Sequence, residues 1–477
     1  MLSNNRLSKS LIVYTMFSKE TYIQRRAQLR QTIGSGVLLF LGNDQAPMNY
    51  ADNTYSFRQD STFLYFFGLD FDGLAAVIDI DAGREIIFGN DPTIDDIVWM
   101  GTQPLLCEKA AMVGVAETLP LSRLDDVLKE AQRAHRAIHY LPPYRGEHQV
   151  KLQALLGIAP AVQQEGVSLD FVRAVVDMRN HKSDEEIVEI EKAVDVSVDM
   201  HCAMMRSVRP GIHEAEVRAA VTAIAQQGGG DNAFPVIATT HGQTLHNHGY
   251  IHTAQAGDMF LLDAGAEITS HYCGDLSSTF PVSGRFDERQ QTIFDICLHA
   301  HRTAVSALAP GVPFRDVHIK ACTAIAEGMK SIGLMKGDAA EAVEAGAHAM
   351  FFPCGLGHMM GLDVHDMENL GEQWVGYAGK PKSTLFGIKS LRLARPLEPG
   401  FVFTIEPGIY FIPELIDRWR AEHRFEQFLC YDAIDKFRDF GGLRNEENYL
   451  ITPTGARRLG SKYKPMTLDE MLAVRGE

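Results

Sequence analysis

Five side chains in the second half of the chain have the types needed to hold cations: Asp263, Asp275, His358, Glu406 and Glu446. Asp263 ends the apolar run Met259 to Leu262, and Asp275 follows twelve residues later in HYCGDLSSTF. If the residues between them form a hairpin, the even separation brings both carboxylates to one face. An acid at the end of a buried strand is costly unless compensated, although for Asp263 alone a turn aspartate capping local amides is the plainer reading. His358 lies in the glycine-rich FPCGLGHMMGLDVHD, Glu406 leaves an apolar strand that begins at Gly400, and Glu446 enters another in GGLRNEENYLIT. Four carboxylates at close quarters repel one another unless a large positive charge lies among them. Two divalent cations bridged by carboxylates meet that need. Oxygen donors with one imidazole favour manganese over a thiolate-type zinc site, with zinc, cobalt or iron as alternatives.

These residues need strands and helices to carry them. Gly257 is followed six residues on by Asp263 and then Gly265; Gly400 is followed six residues on by Glu406 and then Gly408. The match is either chance or an internal duplication that sets two carboxylates on equivalent strands. Upstream, Ser183-Asp184-Glu185-Glu186 is a capping box, and Ile187, Ile190, Val194 and Val198 follow at helical intervals, so a long helix opens a second domain there and stops near Pro210-Gly211. Before it, GVLLFLG at Gly36 to Gly42 reads as a buried strand, 74–80 and 85–88 as a hairpin, and 121–137 as a helix. The expected division is an N-terminal extension over 1–17, one domain over 18–180 and another over 181–477.

With 477 residues, two domains are expected. The formal net charge of −16 repels phosphate backbones and anionic lipid, which argues against nucleic-acid and membrane partners. Seven cysteines lie singly, with no CxxC pair, pointing away from a disulfide framework or structural zinc module and towards a reducing, cytoplasmic setting. The short apolar run Ser10 to Phe17 lacks a small-residue cleavage site behind it, and Met16 is an alternative start to Met1.

In order and local sequence, the five segments resemble the metal-binding motifs of pita-bread metallopeptidases, above all the aminopeptidase P and prolidase branch. The resemblance covers residues 183 to 465, and FRQDSTFLYFFGL from Phe57 resembles that family's creatinase-like N-domain. It implies an α+β chain: a mixed α/β N-terminal domain followed by a duplicated αβ catalytic domain with a curved antiparallel sheet. It implies that Asp263 and Asp275 hold one metal, that His358 and Glu406 hold the other, and that Asp275 and Glu446 bridge. The implied reaction is hydrolysis of Xaa-Pro bonds, in dipeptides or at peptide N-termini, by a hydroxide bridging two metals roughly 3.5–4 Å apart. Glu406 would shuttle a proton to the proline nitrogen. His246 and His365 match family histidines that donate to the substrate carbonyl or oxyanion. For His248 and His252, surface or structural roles are the expectation.

Arg444, two residues before Glu446, is expected to orient a bridging carboxylate. Tyr410 matches a family tyrosine near the metals or is a packed aromatic. Arg392 matches the prolidase arginine that grips a dipeptide's carboxylate, or belongs to a solvated basic pair with Arg395. Trp99 resembles an N-domain tryptophan that reaches a neighbouring subunit, implying a homodimer or dimer of dimers; alone it reads as core. Two positions depart from the family. Cys354 stands where histidine is usual, and Asn445 replaces an apolar residue. A thiol does not act as a neutral-pH imidazole, so Cys354 keeps open a catalytically weakened homologue that binds peptides or proteins.

Overall fold

The computed structural model describes residues 15–476; Met1 and most of the apolar run at 10–17 lie outside them. The chain divides into two compact units between Asp177 and Met178.

In the first unit, strands β1 (Val37–Leu41), β2 (Ala75–Asp79), β3 (Arg84–Phe88), β4 (Glu117–Leu119) and β5 (Ile138–His139) form one sheet in the order β4-β3-β2-β1-β5. The β2–β3 hairpin turns at Asp81-Ala82-Gly83, where Gly83 takes φ +66°, a conformation that costs glycine little. Seven helices accompany the sheet: α1 (Lys19–Ile33), α2 (Ser61–Phe67), α3 (Ile94–Met100), α4 (Leu106–Met112), α5 (Leu124–Arg133), α6 (Gly146–Leu156) and α7 (Leu169–Asn180), the last of which spans the division. Leu124, Leu128 and Leu152 pack on Val37, Leu39, Val77 and Phe88. On the other face Phe40 meets Phe66, Phe67 and Phe171 at 5.2–5.5 Å between ring centroids. Cover on both faces is why VLLFL is apolar throughout rather than alternating. Helix α3 buries nothing, and its Trp99 is 83% exposed, so the core reading of Trp99 does not hold.

The second unit runs through one plan twice. Helix α8 (Asp184–Ser207) starts at the capping box: the Ser183 hydroxyl accepts from the Glu186 amide at 3.3 Å, and the Glu186 carboxylate accepts from the Ser183 amide at 3.0 Å. Helix α9 (Glu214–Gln227) packs against it, and β6 (Asp231–Asn232), β7 (Ile237–Thr239), β8 (Met259–Ala264), β9 (Ala266–Glu267) and β10 (Leu276–Pro281) follow. The order then repeats with α10 (Glu288–Ser306), α11 (Phe314–Ser331), the short α12 (Ala339–Ala345), β11 (Val402–Ile405), β12 (Gly408–Tyr410), β13 (Gly442–Arg444), β14 (Glu447–Thr452) and β15 (Gly455–Arg458).

Backbone hydrogen bonds settle duplication against chance. The Gly211 amide donates to the Ala254 carbonyl at 2.8 Å, and the Ala254 amide returns a bond to Ile212. The Gly311 amide likewise donates to Leu397 at 2.7 Å, and the Leu397 amide returns a bond to Val312. Each pair ties a PG turn to the residue three positions ahead of the glycine that precedes a carboxylate strand, Ala254 before β8 in one repeat and Leu397 before β11 in the other.

Candidate metal centre

Strand β8 runs between β7 and β10, with Asp263 opposite Ile237 on one side and Ser277 on the other. Because side chains alternate, the Asp263–Ser277 register sets Asp275, two residues earlier than Ser277, on the same face as Asp263. The Asn448 side chain fixes the Asp275 backbone from both sides, accepting from its amide at 3.1 Å and donating to its carbonyl at 2.6 Å. Glu406 follows β11 directly, and Glu446 sits in the break between β13 and β14. Its amide donates to the Ser277 carbonyl at 3.1 Å, tying the second repeat's acid to the first repeat's strand.

His358 completes the cluster. Its Nδ1 lies 3.0 Å from the Met359 carbonyl, which can only accept, so the neutral ring carries its hydrogen on Nδ1 and presents the Nε2 lone pair. Nε2 is 3.3 Å from Asp275 Oδ2 and 3.7 Å from Glu406 Oε1. One donor atom each from Asp275, His358 and Glu446 lies within 4.8 Å of the others. These side chains line a cleft of ≈ 620 Å³ together with Asp263 and Glu406.

The electrostatics show what is missing. Burial raises the Glu406 carboxyl to about 7 and Asp275 to about 6, and neighbouring acids add to both. Glu446 is raised well above the carboxylate range, first by burial and then by Asp275 and Glu406. Burial lowers the His358 imidazole, but Asp275 and Glu406 outweigh it and raise the ring overall. Asp275 Oδ1 is buried with no hydrogen-bond partner. A buried carboxylate oxygen left unpaired among raised acids fits a cation between them, and the donor set suits a divalent ion with oxygen preference.

Arg444 is buried and three-handed. Its Nη2 donates to Asp263 Oδ2 at 2.5 Å, Nη1 to the Tyr410 hydroxyl at 2.7 Å, and Nε to the Ser277 hydroxyl at 3.0 Å. Ser277 passes its own hydrogen to Glu446 Oε2 at 2.8 Å, and the Thr404 hydroxyl donates to Glu406 Oε1 at 3.3 Å. The sequence reading missed Ser277, Thr404 and Asn448. Ser277 and Thr404 each stand two residues from a candidate ligand on the same strand face, and that spacing was the available signal.

His246 lines the cleft, and so does His248, for which a surface or structural role is the expectation. His252 instead bonds the buried Glu214, in keeping with a structural role. The His365 ring lies 4.1 Å from that of His358, and its Nδ1 is 2.5 Å from the Glu368 carboxylate. Burial lowers His365 to about 4, so it is neutral with its hydrogen on Nδ1, and Nε2 is an acceptor. A neutral ring held this way offers Nε2 as an acceptor, whereas the resemblance implied a donor. Its loop is anchored by a buried cluster, with Arg179 Nη2 donating to Asp363 at 2.8 Å and Asp366 at 2.7 Å, and Lys182 donating to Asp366 at 2.7 Å.

Cys354 lines the cleft. Part of its surface faces solvent, yet the thiol is closely enclosed, and burial followed by the Glu406 charge pushes it to about 12. It is a protonated thiol at neutral pH. Arg392 also lines the cleft, with Nε 3.5 Å from Glu368 and 3.3 Å from Glu372. Asn445 finds a partner that sequence spacing did not show: the buried Lys464 ammonium donates to its Oδ1 at 2.8 Å.

Residues 188–453 match metallopeptidase family M24, and residues 22–139 match the aminopeptidase P N-terminal domain. The mouse Xaa-Pro dipeptidase is 29% identical over 494 residues, covering 99% of this chain and 95% of that protein. The Probable Xaa-Pro aminopeptidase pepP of Botryotinia fuckeliana is 30% identical over 460 residues, covering 93% of this chain and 92% of its own. A zinc-substituted aminopeptidase P of Escherichia coli, solved with product, superposes with a TM-score of 0.78 at 25% identity, over 96% of this chain and 98% of that one. No described helix is long and apolar enough to cross a membrane. With a catalytic-domain match over more than half its length and an aminopeptidase P-type N-terminal domain ahead of it, the chain belongs to metallopeptidase family M24 and is a metal-dependent hydrolase.

Proposed function

We propose that this chain hydrolyses the bond on the amino side of proline, holding two divalent cations, manganese by preference, among Asp263, Asp275, His358, Glu406 and Glu446. The orphaned Asp275 Oδ1 carries this reading: it is buried beside the His358 imidazole and two further raised carboxyls, which is a site short of positive charge. When bound, such a pair of cations lowers the pKa of a water and polarises the substrate carbonyl.

The chain's own residues supply positioning and proton transfer. Arg444 and Ser277 hold Asp263 and Glu446 in place, and Thr404 holds Glu406. Glu406 takes a proton from the attacking water and returns it to the leaving nitrogen; a carboxyl raised to about 7 suits both transfers near neutral pH. Proline's nitrogen is a tertiary amide nitrogen, so it leaves only when protonated. Burial lowers the His246 pKa, leaving a neutral ring whose N–H donates to the developing oxyanion. His365 accepts a substrate N–H at Nε2.

Arg392 takes the free carboxylate of a dipeptide, which favours prolidase action. The approach of Glu368 and Glu372 to the same guanidinium supports a second reading, aminopeptidase action on longer peptides, because part of its charge is already matched. Comparing cleavage of Ala-Pro with Ala-Pro-Ala in Mn(II) divides them: a clear preference for Ala-Pro supports the first, and failure to cleave either sinks the Xaa-Pro assignment. The exposed Trp99 supports a homodimer, or a dimer of dimers, and the described cysteines, all free thiols, support a cytoplasmic setting.

A further inference from the structure

Helix α11 and the single helical turn Ala347–Met350 bring two imidazoles and a thiol together in the core of the second unit. His318 and Cys322 stand four residues apart on α11, so they project from one face. His348 comes from the short turn. All three are fully buried. Cys322 Sγ lies 3.5 Å from His318 Nε2, and one donor atom from each residue falls within 4.8 Å of the other two.

The polar demand of His348 is not met by protein. Neither ring nitrogen of His348 has a hydrogen-bond partner; the Val343 carbonyl acts on the ring without reaching bonding geometry. Buried imidazoles with both nitrogens unsatisfied are rare, because the desolvation loss is not recovered. A metal ion would sit roughly 2.3 Å from sulfur and 2.0–2.1 Å from nitrogen, which separates donors by about 3.5 Å in trigonal or tetrahedral geometry. The Cys322–His318 spacing already has that value. With one thiolate and two imidazoles and no carboxylate, the donor set is soft, unlike the acidic cleft.

We propose that His318, Cys322 and His348 form a buried site for one thiophilic transition-metal ion of the zinc or copper(I) type. On binding, the Cys322 thiol releases its proton to solvent and the imidazoles coordinate through ring nitrogens, with no change of oxidation state. The ion would pin α11 to the segment leading into the cleft wall. The Phe352 ring already packs 5.6 Å from that of His318, two residues before Cys354.

The test uses the full chain, stripped under reducing conditions and reloaded separately with Co(II) and with Cu(I) set against a colorimetric chelator. The expected result, with at least one of the two ions, is a signal for one sulfur-bound ion per chain: a thiolate-to-cobalt charge-transfer band, or one Cu(I) withdrawn from the chelator. Cys354→Ser keeps it, Cys322→Ser abolishes it, and His348→Gln weakens the affinity at least tenfold. If Cys322→Ser does not fold, X-ray absorption on the wild-type metal gives the answer through the presence of a sulfur neighbour. The proposal is overturned by the absence of a sulfur-dependent signal with both ions, or by a signal that follows Cys354.

Discussion

The two repeats of the catalytic unit use one backbone plan for two electrostatic tasks. Asp263 on β8 meets a guanidinium at 2.5 Å, whereas Glu406 after β11 has a threonine hydroxyl at 3.3 Å and burial that raises it to about 7. In the first repeat the paired acids, Asp263 and Asp275, sit diagonally across the ladder. In the second, the Ile405–Glu447 pairing leads Glu406 and Glu446 out of the ladder nearly opposite each other. Duplication thus supplied matching strands, and the side chains around them diverged: one acid is neutralised by protein and the other awaits a charge from outside.

The largest expected effect tests whether both repeats serve one centre. Asp275→Asn from the first and Glu406→Gln from the second should each abolish Xaa-Pro hydrolysis and lower the metal content of purified protein. Full activity in either variant would separate the repeats functionally.

Next comes the protein-supplied charge. Arg444→Met leaves the partly buried Asp263 without its partner, which costs about 1.5–3 kcal/mol for a lost hydrogen bond to a charged group. Urea unfolding of metal-free protein measures it, and a loss below about 1 kcal/mol would mean that Arg444 is not what compensates Asp263.

The third prediction concerns the uncompensated repeat and its pH dependence. In the fold, Glu406 and Asp275 are raised above the 4.5 and 3.8 ordinary for their side chains in water. Between about pH 4 and 7 these two carboxyls therefore hold more protons in the folded metal-free chain than in the unfolded one, and their contribution to stability falls as pH rises through that window. The imidazoles of His201, His301, His318, His348 and His365, lowered by burial, act in the opposite direction. Each tenfold change in a carboxyl's proton affinity on folding is worth about 1.4 kcal/mol. Glu406→Gln isolates the larger of the two carboxyl contributions: the melting temperature of the metal-free variant relative to the metal-free parent should rise from pH 5 to 8, because only the parent must bury a charge there. A difference between the two that stays flat or falls over that range would contradict the picture.

The smallest effect lies at Cys354. A thiol held at about 12 moves no proton near neutrality, so Cys354→Ala should leave kcat/KM within a fewfold of the parent. Cys354→His should raise it, because an imidazole titrates in the working range. A large loss in the alanine variant would give the thiol a direct part in the chemistry.

Much of this architecture could be read from local sequence, where local spacing dictates local structure. The capping box at Ser183 starts α8 where expected, GVLLFLG forms β1, and the glycine template marks both carboxylate strands. The helix expected over 121–137 is shorter, because Leu121–Arg123 forms a 3-10 turn and α5 ends at Arg133. The five candidate ligands could be picked out by residue type and by their place at strand ends, although type alone left Asp263 open as a turn cap.

Which residues the chain would hold near one another was set by its amino-acid order through strand period, caps and turns. How each is partnered was decided only when distant segments met. Asn445 finds Lys464, and Arg444 reaches Asp263 across 181 residues of chain. His318, Cys322 and His348 converge although no short spacing unites all three. The reason is physical: hydrogen-bond direction, desolvation and charge compensation depend on what surrounds an atom in space. Those neighbours lie tens to hundreds of residues away along the chain.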